Sequence, residues 1–199
     1  MKPRKQPRQE RSKVTVTAIL DATTHILIDD GYEAMNTNRV AEKAGVSIGS
    51  LYQYFPDKKS LVAALRQRHA EQMKDCLQSA LKNISPESID NTVSEMVHAV
   101  FQAHLIEPQL HKVLHSEVPE PVLYDQETTL EEDFRNIVIS LLQNWQDKIR
   151  PMDVELTSKI LINIVESLVH AAVIDNQLKE DPDKIEKETV NLVKRYLGI

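Results

Sequence analysis

The sequence predicts an all-α protein of about nine helices, and three observations support this fold class. Apolar residues recur at three- and four-residue spacing along most of the 199 residues, which is the period of one face of an α-helix. Prolines separate the successive periodic stretches. No segment alternates between apolar and polar residues in the way that half-buried strands do, and no internal repeat is present.

Capping residues predict where the first four helices begin and end. Gly31 has the position of a glycine that follows a helix, and Pro56 ends another helix near Phe55. The four predicted bounds are 16–30, 37–44 capped by Thr37, 48–55 capped by Ser47, and 58–83 capped by Asp57. Periodicity predicts five further helices, at 86–105, 108–115, 121–147, 153–177 and 183–197.

Charge is distributed unevenly along a chain whose net charge is −6. Residues 1–70 hold 12 Lys/Arg against 7 Asp/Glu, whereas residues 71–199 hold 12 against 23. Residues 1–13 alone carry six basic side chains and one acidic one. A basic head on an acidic body indicates contact with a polyanion at one end, and a solvated basic tail is the alternative.

Cysteine content and hydropathy indicate a soluble protein of a reducing compartment. Cys76 is the only cysteine, so no internal disulfide is predicted, and burial in a helix is expected for it. No apolar stretch follows the basic N-terminus as in a secretory leader. The most apolar run, 160–174, contains Asn163, Glu166 and His170, so we expect no membrane span and a cytoplasmic location.

The segment "TNRVAEKAGVSIGSLYQYF" at 37–55 predicts two short helices joined by a tight turn. Gly45 can adopt the backbone conformation that the turn requires. Leu51 and Phe55 lie four residues apart and should face inward, which leaves a polar and aromatic surface outside. The residues on that surface are Ile48, Gly49, Ser50, Tyr52, Gln53 and Tyr54. Exposed tyrosines and a glutamine suit a DNA groove, where hydroxyls reach phosphates and Gln pairs with adenine.

Two lysines follow this segment at an unfavourable place. Lys58 and Lys59 occupy the first turn of a predicted helix, where the helix dipole disfavours cations. A phosphate bound here would remove the conflict, and two solvated lysines are the alternative.

The stretch "NRVAEKAGVSIGSLYQYFPDKKSLV", together with "DDGYEAMNT" before it, resembles the DNA-binding head of TetR-family transcriptional regulators. The resemblance covers about residues 14–65. It implies a basic flexible arm at 1–13, a three-helix helix-turn-helix head at 14–60, and a helical ligand-binding and dimerisation body at 61–199. The remainder of the chain resembles the family in its size and helical pattern.

The resemblance also implies which residues contact DNA. By position, these are Thr37, Arg39, Ser47, Ile48, Gly49, Ser50, Tyr52, Gln53, Tyr54 and Lys58. Ile48 departs from the family, where many relatives carry a polar or basic residue, and it suits a thymine methyl group. The recognition helix contains no Arg or Lys, so guanine reading must come from Arg39 or from the arm.

A homodimer formed by the last two long helices is a further implication, and it predicts a roughly palindromic double-stranded operator. The helix over 153–177 is apolar on several sides, as expected for a helix buried on several sides. The expected interface residues are Leu156, Ile160, Ile164, Leu168, Ala172, Ile185, Thr189, Leu192 and Tyr196.

The body is also expected to bind an unidentified small-molecule effector. The candidate pocket residues are Phe101, His104, Trp145, Asn163, Ser167 and His170. Of these, Asn163, Ser167 and His170 form a polar row that faces either a pocket or the dimer partner. His111 and His115 have helical spacing that a metal could use, but no further ligands accompany them, so no metal and no cofactor is predicted.

Three classes of function remain to be compared. An enzyme is disfavoured because the sequence has no glycine-rich phosphate loop, nucleophile elbow or paired-carboxylate constellation. A ligand-responsive dimeric repressor, released from its operator by the effector, accounts for the head and the body together. A DNA-binding regulator without a small-molecule ligand, controlled by a protein or acting as an activator, is the alternative.

Overall fold

The computed structural model describes residues 10–82, 88–119, 129–175 and 177–199. In this part of the chain there are nine α-helices and a short π-helical segment, which confirms the predicted fold class. The α-helices are α1 Glu10–Ala34, α2 Thr37–Lys43, α3 Ile48–Tyr54, α4 Lys58–Leu81, α5 Ile89–His104, α6 Pro108–Ser116, α7 Thr129–Asn144, α8 Val154–Val169 and α9 Pro182–Leu197; the π-helical segment His170–Ile174 follows α8.

Several helix ends differ from the predicted ones. Asn36, not Thr37, caps α2, because its side-chain oxygen accepts a hydrogen bond from the backbone N–H of Arg39 at 3.0 Å. Residues 10–13 form the first turn of α1, which therefore begins before the predicted residue 16. The predicted starts at residues 86 and 121 lie outside the described residues, as does the arm over 1–9.

The chain forms two compact units, each with its own apolar core. The described part of the first unit comprises residues 10–69 and 109–119, so α6 contributes to it in addition to α1–α3 and the start of α4. Its apolar residues with no exposed surface are Ile19, Leu27, Val40, Leu51, Leu61, Val62, Leu65 and Leu110. The assignment of DNA binding to residues 14–60, and of ligand binding and dimerisation to residues 61–199, stays a prediction.

The second unit comprises residues 70–108 and 129–199 of the described chain. Its core contains Phe101, Leu142, Trp145, Val169 and Leu197, each at most 4% exposed. Cys76 is half-buried against this core, with no disulfide partner.

Gly31 interrupts α1 as the sequence predicted, but the helix resumes after it and reaches Ala34. The backbone angles of Gly31 are φ 78° and ψ 172°, a region that is essentially restricted to glycine. The turn places Tyr32 and Met35 in the core of the first unit, with 8% and 1% of their surfaces exposed.

We expect Gly31→Ala to lower the free energy of unfolding by about 1–3 kcal/mol, because alanine is strained in this backbone conformation. The added Cβ would also lie 2.8 Å from Oε2 of Glu117, although the flexible end of that side chain can move. Chemical denaturation measures the change. Gly49→Ala is the matched control, since Gly49 lies inside a helix and alanine should stabilise it by about 0.5–1 kcal/mol. Equal effects of the two substitutions would contradict the assignment of strain to Gly31.

Candidate nucleic-acid interface

The turn between α2 and α3 fixes the orientation of the second short helix. Gly45 adopts φ 66°, and the backbone N–H of Val46 donates to the carbonyl oxygen of Ala41 at 3.0 Å. Ser47 then caps α3 as predicted, accepting from the backbone N–H of Ser50 at 3.1 Å. The two short helices are therefore joined by a turn whose ends are hydrogen-bonded.

One face of α3 is buried and the opposite face is free for a ligand. Leu51 and Phe55 are 0% and 2% exposed, which confirms their predicted inward orientation. On the other side, Ile48 and Tyr52 are 39% and 42% exposed. The structure also leaves Ser47, Gly49 and Gln53 exposed.

Two of the predicted outward residues are engaged within the head. Tyr54 is half-buried and packs against the core of the first unit, so only part of its surface is available. Ser50 is half-buried as well, and its hydroxyl lies 2.8 Å from that of Ser47. The outward surface of α3 is accordingly narrower than the sequence predicted.

A hydrogen bond between side chains links the two short helices. The hydroxyl oxygens of Thr37, the first residue of α2, and Tyr52 of α3 lie 3.1 Å apart. Each hydroxyl has further hydrogen-bonding capacity toward a phosphate oxygen. The pair holds two predicted DNA contacts beside each other, which the sequence did not reveal.

The cations of α2 are paired with acids of α1. Arg39 donates to Oδ2 of Asp30 at 2.7 Å and to the carbonyl oxygen of Ala34 at 3.2 Å. Lys43 lies 3.5 Å from Oδ2 of Asp29. To read a guanine, Arg39 would first have to leave Asp30, a competition that the sequence analysis did not foresee.

Lys58, at the start of α4, contacts an aromatic ring. Its Nζ lies 3.9 Å from the centroid of the Tyr32 ring, within the range of a cation–π interaction. Asp57 caps the helix as predicted, with Oδ1 accepting from the backbone N–H of Ser60 at 2.7 Å. The unfavourable position of Lys58 is therefore compensated by a ring that the sequence analysis missed.

The six predicted pocket residues do not line one site. Phe101 and Trp145 are core residues, 2% and 4% exposed. In contrast, Asn163 and Ser167 lie on the exposed surface of α8. The polar row thus faces away from the core of the second unit at these two positions.

The two remaining candidates lie close together. The Nδ1 of buried His104 donates to the carbonyl oxygen of Val100 at 2.8 Å, and the His104 and His170 ring centroids are 5.3 Å apart. Burial lowers the pKa of half-buried His170, and the charge of Asp175 opposes that shift.

An open cavity of about 540 Å³ lies elsewhere in the second unit. It is lined by Leu105, Ala172, Val173, Lys179, Glu180 and Pro182. This set shares no residue with the predicted pocket, because the position of a cavity depends on how the helices pack.

An apolar row along α8 is only partly covered within the chain. Leu156 is 56% exposed, while Ile160, Ile164 and Leu168 are half-buried. The stretch Val154–Ile174 is 21 residues long with a mean hydropathy of 1.4, and only 33% of its most apolar 18-residue window is buried within the chain. Among the described residues, it alone is long and apolar enough to cross a membrane, a weak indication because core helices of soluble proteins meet the same test.

Two of the predicted dimer-interface residues are enclosed in their own chain. Thr189 is 1% exposed and donates its hydroxyl to the carbonyl oxygen of Ile185 at 2.7 Å. Ala172 is 5% exposed. Ile185 and Tyr196 are half-buried against the second core, and Leu192 remains 41% exposed. Each of the two helices therefore exposes one large apolar residue, Leu156 on α8 and Leu192 on α9.

The histidine pair considered for a metal lies beside a third histidine in the first unit. His111 stacks on His115 with 4.4 Å between ring centroids, and its Nδ1 lies 2.9 Å from Nε2 of His69. His69 is 4% exposed, and its Nδ1 has no hydrogen-bond partner among the described residues. Burial, with the nearby charges of His115 and Arg68, lowers the pKa of His69 to about 4.

The low pKa of His69 predicts acid sensitivity. Below its ordinary value of 6.5 the unfolded chain binds a proton that the folded chain excludes, so the free energy of unfolding falls until the pH reaches about 4. At about 1.4 kcal/mol per pH unit, the loss over this window amounts to about 3 kcal/mol. In denaturation at several pH values, His69→Gln should flatten this slope. Substitution of the exposed His25 by Gln should leave it unchanged, and an unaltered slope in His69→Gln would contradict the prediction.

A short helix that exposes polar and apolar groups opposite a buried face, after a capped turn, is the arrangement of helix-turn-helix DNA-binding proteins. Two family models match this chain. Residues 19–65 match the model described as "Bacterial regulatory proteins, tetR family", and residues 88–197 match "Tetracyclin repressor-like, C-terminal domain". The chain therefore belongs to the TetR family of bacterial regulatory proteins, which confirms the resemblance. The family consists of transcriptional regulators rather than enzymes.

Curated relatives match about a quarter to two fifths of the chain. The HTH-type transcriptional repressor KstR from Mycolicibacterium smegmatis is 46% identical over 55 residues, which covers 28% of this chain and 27% of that protein. The HTH-type transcriptional activator FasR of the same organism is 36% identical over 76 residues, covering 38% and 33%. The chain thus spans about a third or less of these relatives.

Solved structures match nearly the whole chain. The fatty acid degradation regulator FadR from Bacillus halodurans has a TM-score of 0.73 and 16% identity, covering 94% of this chain and 96% of that one. A TetR-like transcriptional regulator from Rhodococcus sp. RHA1 has a TM-score of 0.72 and 19% identity, covering 98% and 99%. At these identities the similarity establishes the fold.

Proposed function

We propose that this protein is a sequence-specific transcriptional regulator that binds a palindromic double-stranded operator as a homodimer in the cytoplasm. The observation that carries the proposal is the division of α3 into a buried face, with Leu51 and Phe55, and an exposed face. An exposed isoleucine, tyrosine and glutamine on a two-turn helix contribute little to folding but suit the edges of bases in a major groove.

The proposed DNA contacts fall into two groups. Ile48, Gly49, Tyr52 and Gln53 would enter the groove, with Ile48 against a thymine methyl group and Gln53 on adenine. Thr37, Ser47, Ser50, Tyr54 and Lys58 would contact phosphates and fix the register. Arg39 would contribute only after exchange of Asp30 for a phosphate or a base.

The partly covered apolar row of α8 supports the dimer. Leu156, Ile160, Ile164 and Leu168 form an apolar row at four-residue spacing along α8, and none of the four is among the residues packed against the second core. In a two-fold dimer this row would meet its own copy, and the two heads would reach half-sites one or more DNA turns apart.

We further propose that a small molecule bound in the second unit releases the protein from its operator. The cavity of about 540 Å³ is of a size that small ligands occupy. Such a ligand acts only if it binds the DNA-free arrangement of the dimer more tightly than the DNA-bound one.

The second candidate function is a regulator without a small-molecule effector. It is favoured by the observation that the six expected pocket residues do not lie together in one site. Native mass spectrometry of the purified protein distinguishes the two, because a retained small molecule adds its mass to the folded species alone.

Selection of bound sequences from random duplex DNA tests the proposed function. The wild-type chain should enrich a palindrome, and Tyr52→Ala should enrich it weakly or not at all, because Tyr52 is exposed and paired with Thr37 at the interface. Failure of the wild-type chain to enrich any sequence at low salt would contradict the proposal. Enrichment of a single half-site would retain DNA reading but contradict the dimer.

A further inference from the structure

Lys58 is held differently from Arg39 and Lys43, the two cations of α2. Arg39 and Lys43 lie beside the carboxylates of Asp30 and Asp29, which neutralise their charge locally. Lys58 lies over the ring of Tyr32, with 3.9 Å between Nζ and the ring centroid. A phosphate must compete with a carboxylate for a cation, whereas the face of a neutral ring attracts the ammonium without cancelling its charge.

The Tyr32 ring provides a fixed platform for this contact. Tyr32 is 8% exposed, and its carbonyl oxygen accepts from the backbone N–H of Met35 at 3.2 Å. The restricted backbone of Gly31 directs the ring into the core of the first unit. Burial, together with Glu33 and Asp57, raises the pKa of the Tyr32 hydroxyl, so the ring remains uncharged at neutral pH.

The helix start beside Lys58 is already satisfied. Oδ1 of Asp57 accepts from the backbone N–H of Ser60 at 2.7 Å, and the Ser60 hydroxyl donates to the carbonyl oxygen of Asp57 at 2.7 Å. Asp57 thus serves as the cap, and the ammonium is oriented by the ring. An ammonium has three N–H donors, and those directed away from a ring face remain for phosphate oxygens.

We propose that Tyr32 is a positioning residue, which holds Lys58 over its ring so that the ammonium meets a DNA phosphate in a fixed place. The inference rests on the proposed function and adds to it a residue with no direct DNA contact. Without the ring, Lys58 would lose side-chain freedom on binding, and that entropic cost would weaken the complex.

A double-mutant cycle in operator affinity tests the inference, using the duplex that the wild-type chain selects. Lys58→Met should weaken binding and reduce the slope of log affinity against log salt by about 1. Tyr32→Leu should weaken binding about two- to fivefold, the range of an exposed cation–π contact, and Tyr32→Phe should retain wild-type affinity. In the Lys58→Met background, Tyr32→Leu should have no further effect. The matched control is Lys59→Met, in whose background Tyr32→Leu should keep its full effect.

Additive effects of Tyr32→Leu and Lys58→Met would overturn the inference and leave Tyr32 with a core role only. Because Tyr32 is buried, the leucine variant could fold poorly, so a second measurement uses the wild-type chain. In NMR spectra, the ε-methylene protons of Lys58 should be shifted upfield by the ring, both free and on DNA. Unshifted protons in the complex would also overturn it. If the wild-type chain binds no duplex at low salt, the proposed function itself fails. If the wild-type chain binds and the effects of the two substitutions are additive, only the role of Tyr32 is overturned.

Discussion

Ile164→Arg is expected to convert the proposed dimer into monomers at micromolar concentration. Ile164 is half-buried in the apolar row of α8 and is not among the residues packed on the second core, whereas Ile162 is. An unpaired charge buried in an interface costs about 3–5 kcal/mol, and a two-fold axis places the substitution in the interface twice. Size-exclusion chromatography with light scattering measures the mass directly.

The same variant should bind its operator at least about 100-fold more weakly, because a monomer loses the advantage of two linked heads. Gln102→Arg introduces the same charge at an exposed position of α5 and should leave mass and affinity unchanged. A folded, dimeric Ile164→Arg chain would show that the interface lies on another surface. The exposed Leu192 on α9 would then be the next residue to substitute.

Local signals in the sequence predicted much of the head, although Asn36 rather than Thr37 caps α2. Ser47 and Asp57 cap their helices as expected, and Leu51 and Phe55 are buried, because a cap or a four-residue spacing involves only nearby residues. The side-chain pairs of the head could not be predicted in this way. Thr37 and Tyr52 are 15 positions apart, and Lys58 lies 26 positions after its ring. Such pairs depend on how helices cross, which periodicity does not encode.

The second unit shows the corresponding limit for apolar helices. The stretch over 153–177 is apolar on several sides, so its composition does not determine which side faces the core. Ala172 and Thr189 were assigned to a partner chain but are buried in their own. Thr189 is accommodated because its hydroxyl donates to the carbonyl oxygen one turn earlier. Phe101 and Trp145 were assigned to a pocket, but their large apolar surfaces fill the core instead.

Gln53→Ala is expected to reduce affinity for the selected operator by about 5- to 150-fold, the equivalent of the 1–3 kcal/mol that a bidentate contact to a base contributes. Gln53 is exposed on α3, so its truncation should leave the free energy of unfolding within about 0.5 kcal/mol of the wild-type value. Affinity for a random duplex should remain unchanged, since non-specific binding arises from phosphates. Titrations of both duplexes therefore measure the loss as a fall in their affinity ratio.

The salt dependence separates this role from that of a phosphate contact. Gln53 carries no charge, so Gln53→Ala should leave the salt slope of operator binding unchanged while lowering affinity at every salt concentration. Gln102→Ala, the same truncation at an exposed position of α5, should alter neither quantity. An equal loss on operator and random duplex would assign Gln53 to the backbone, and base reading would then rest on Ile48 and Tyr52. The exposed amide of Gln53 and the absence of Arg and Lys from α3 favour the reading of adenine by Gln53. In that case, a repeat of the selection with Gln53→Ala should relax the base preference at one base pair in each half-site.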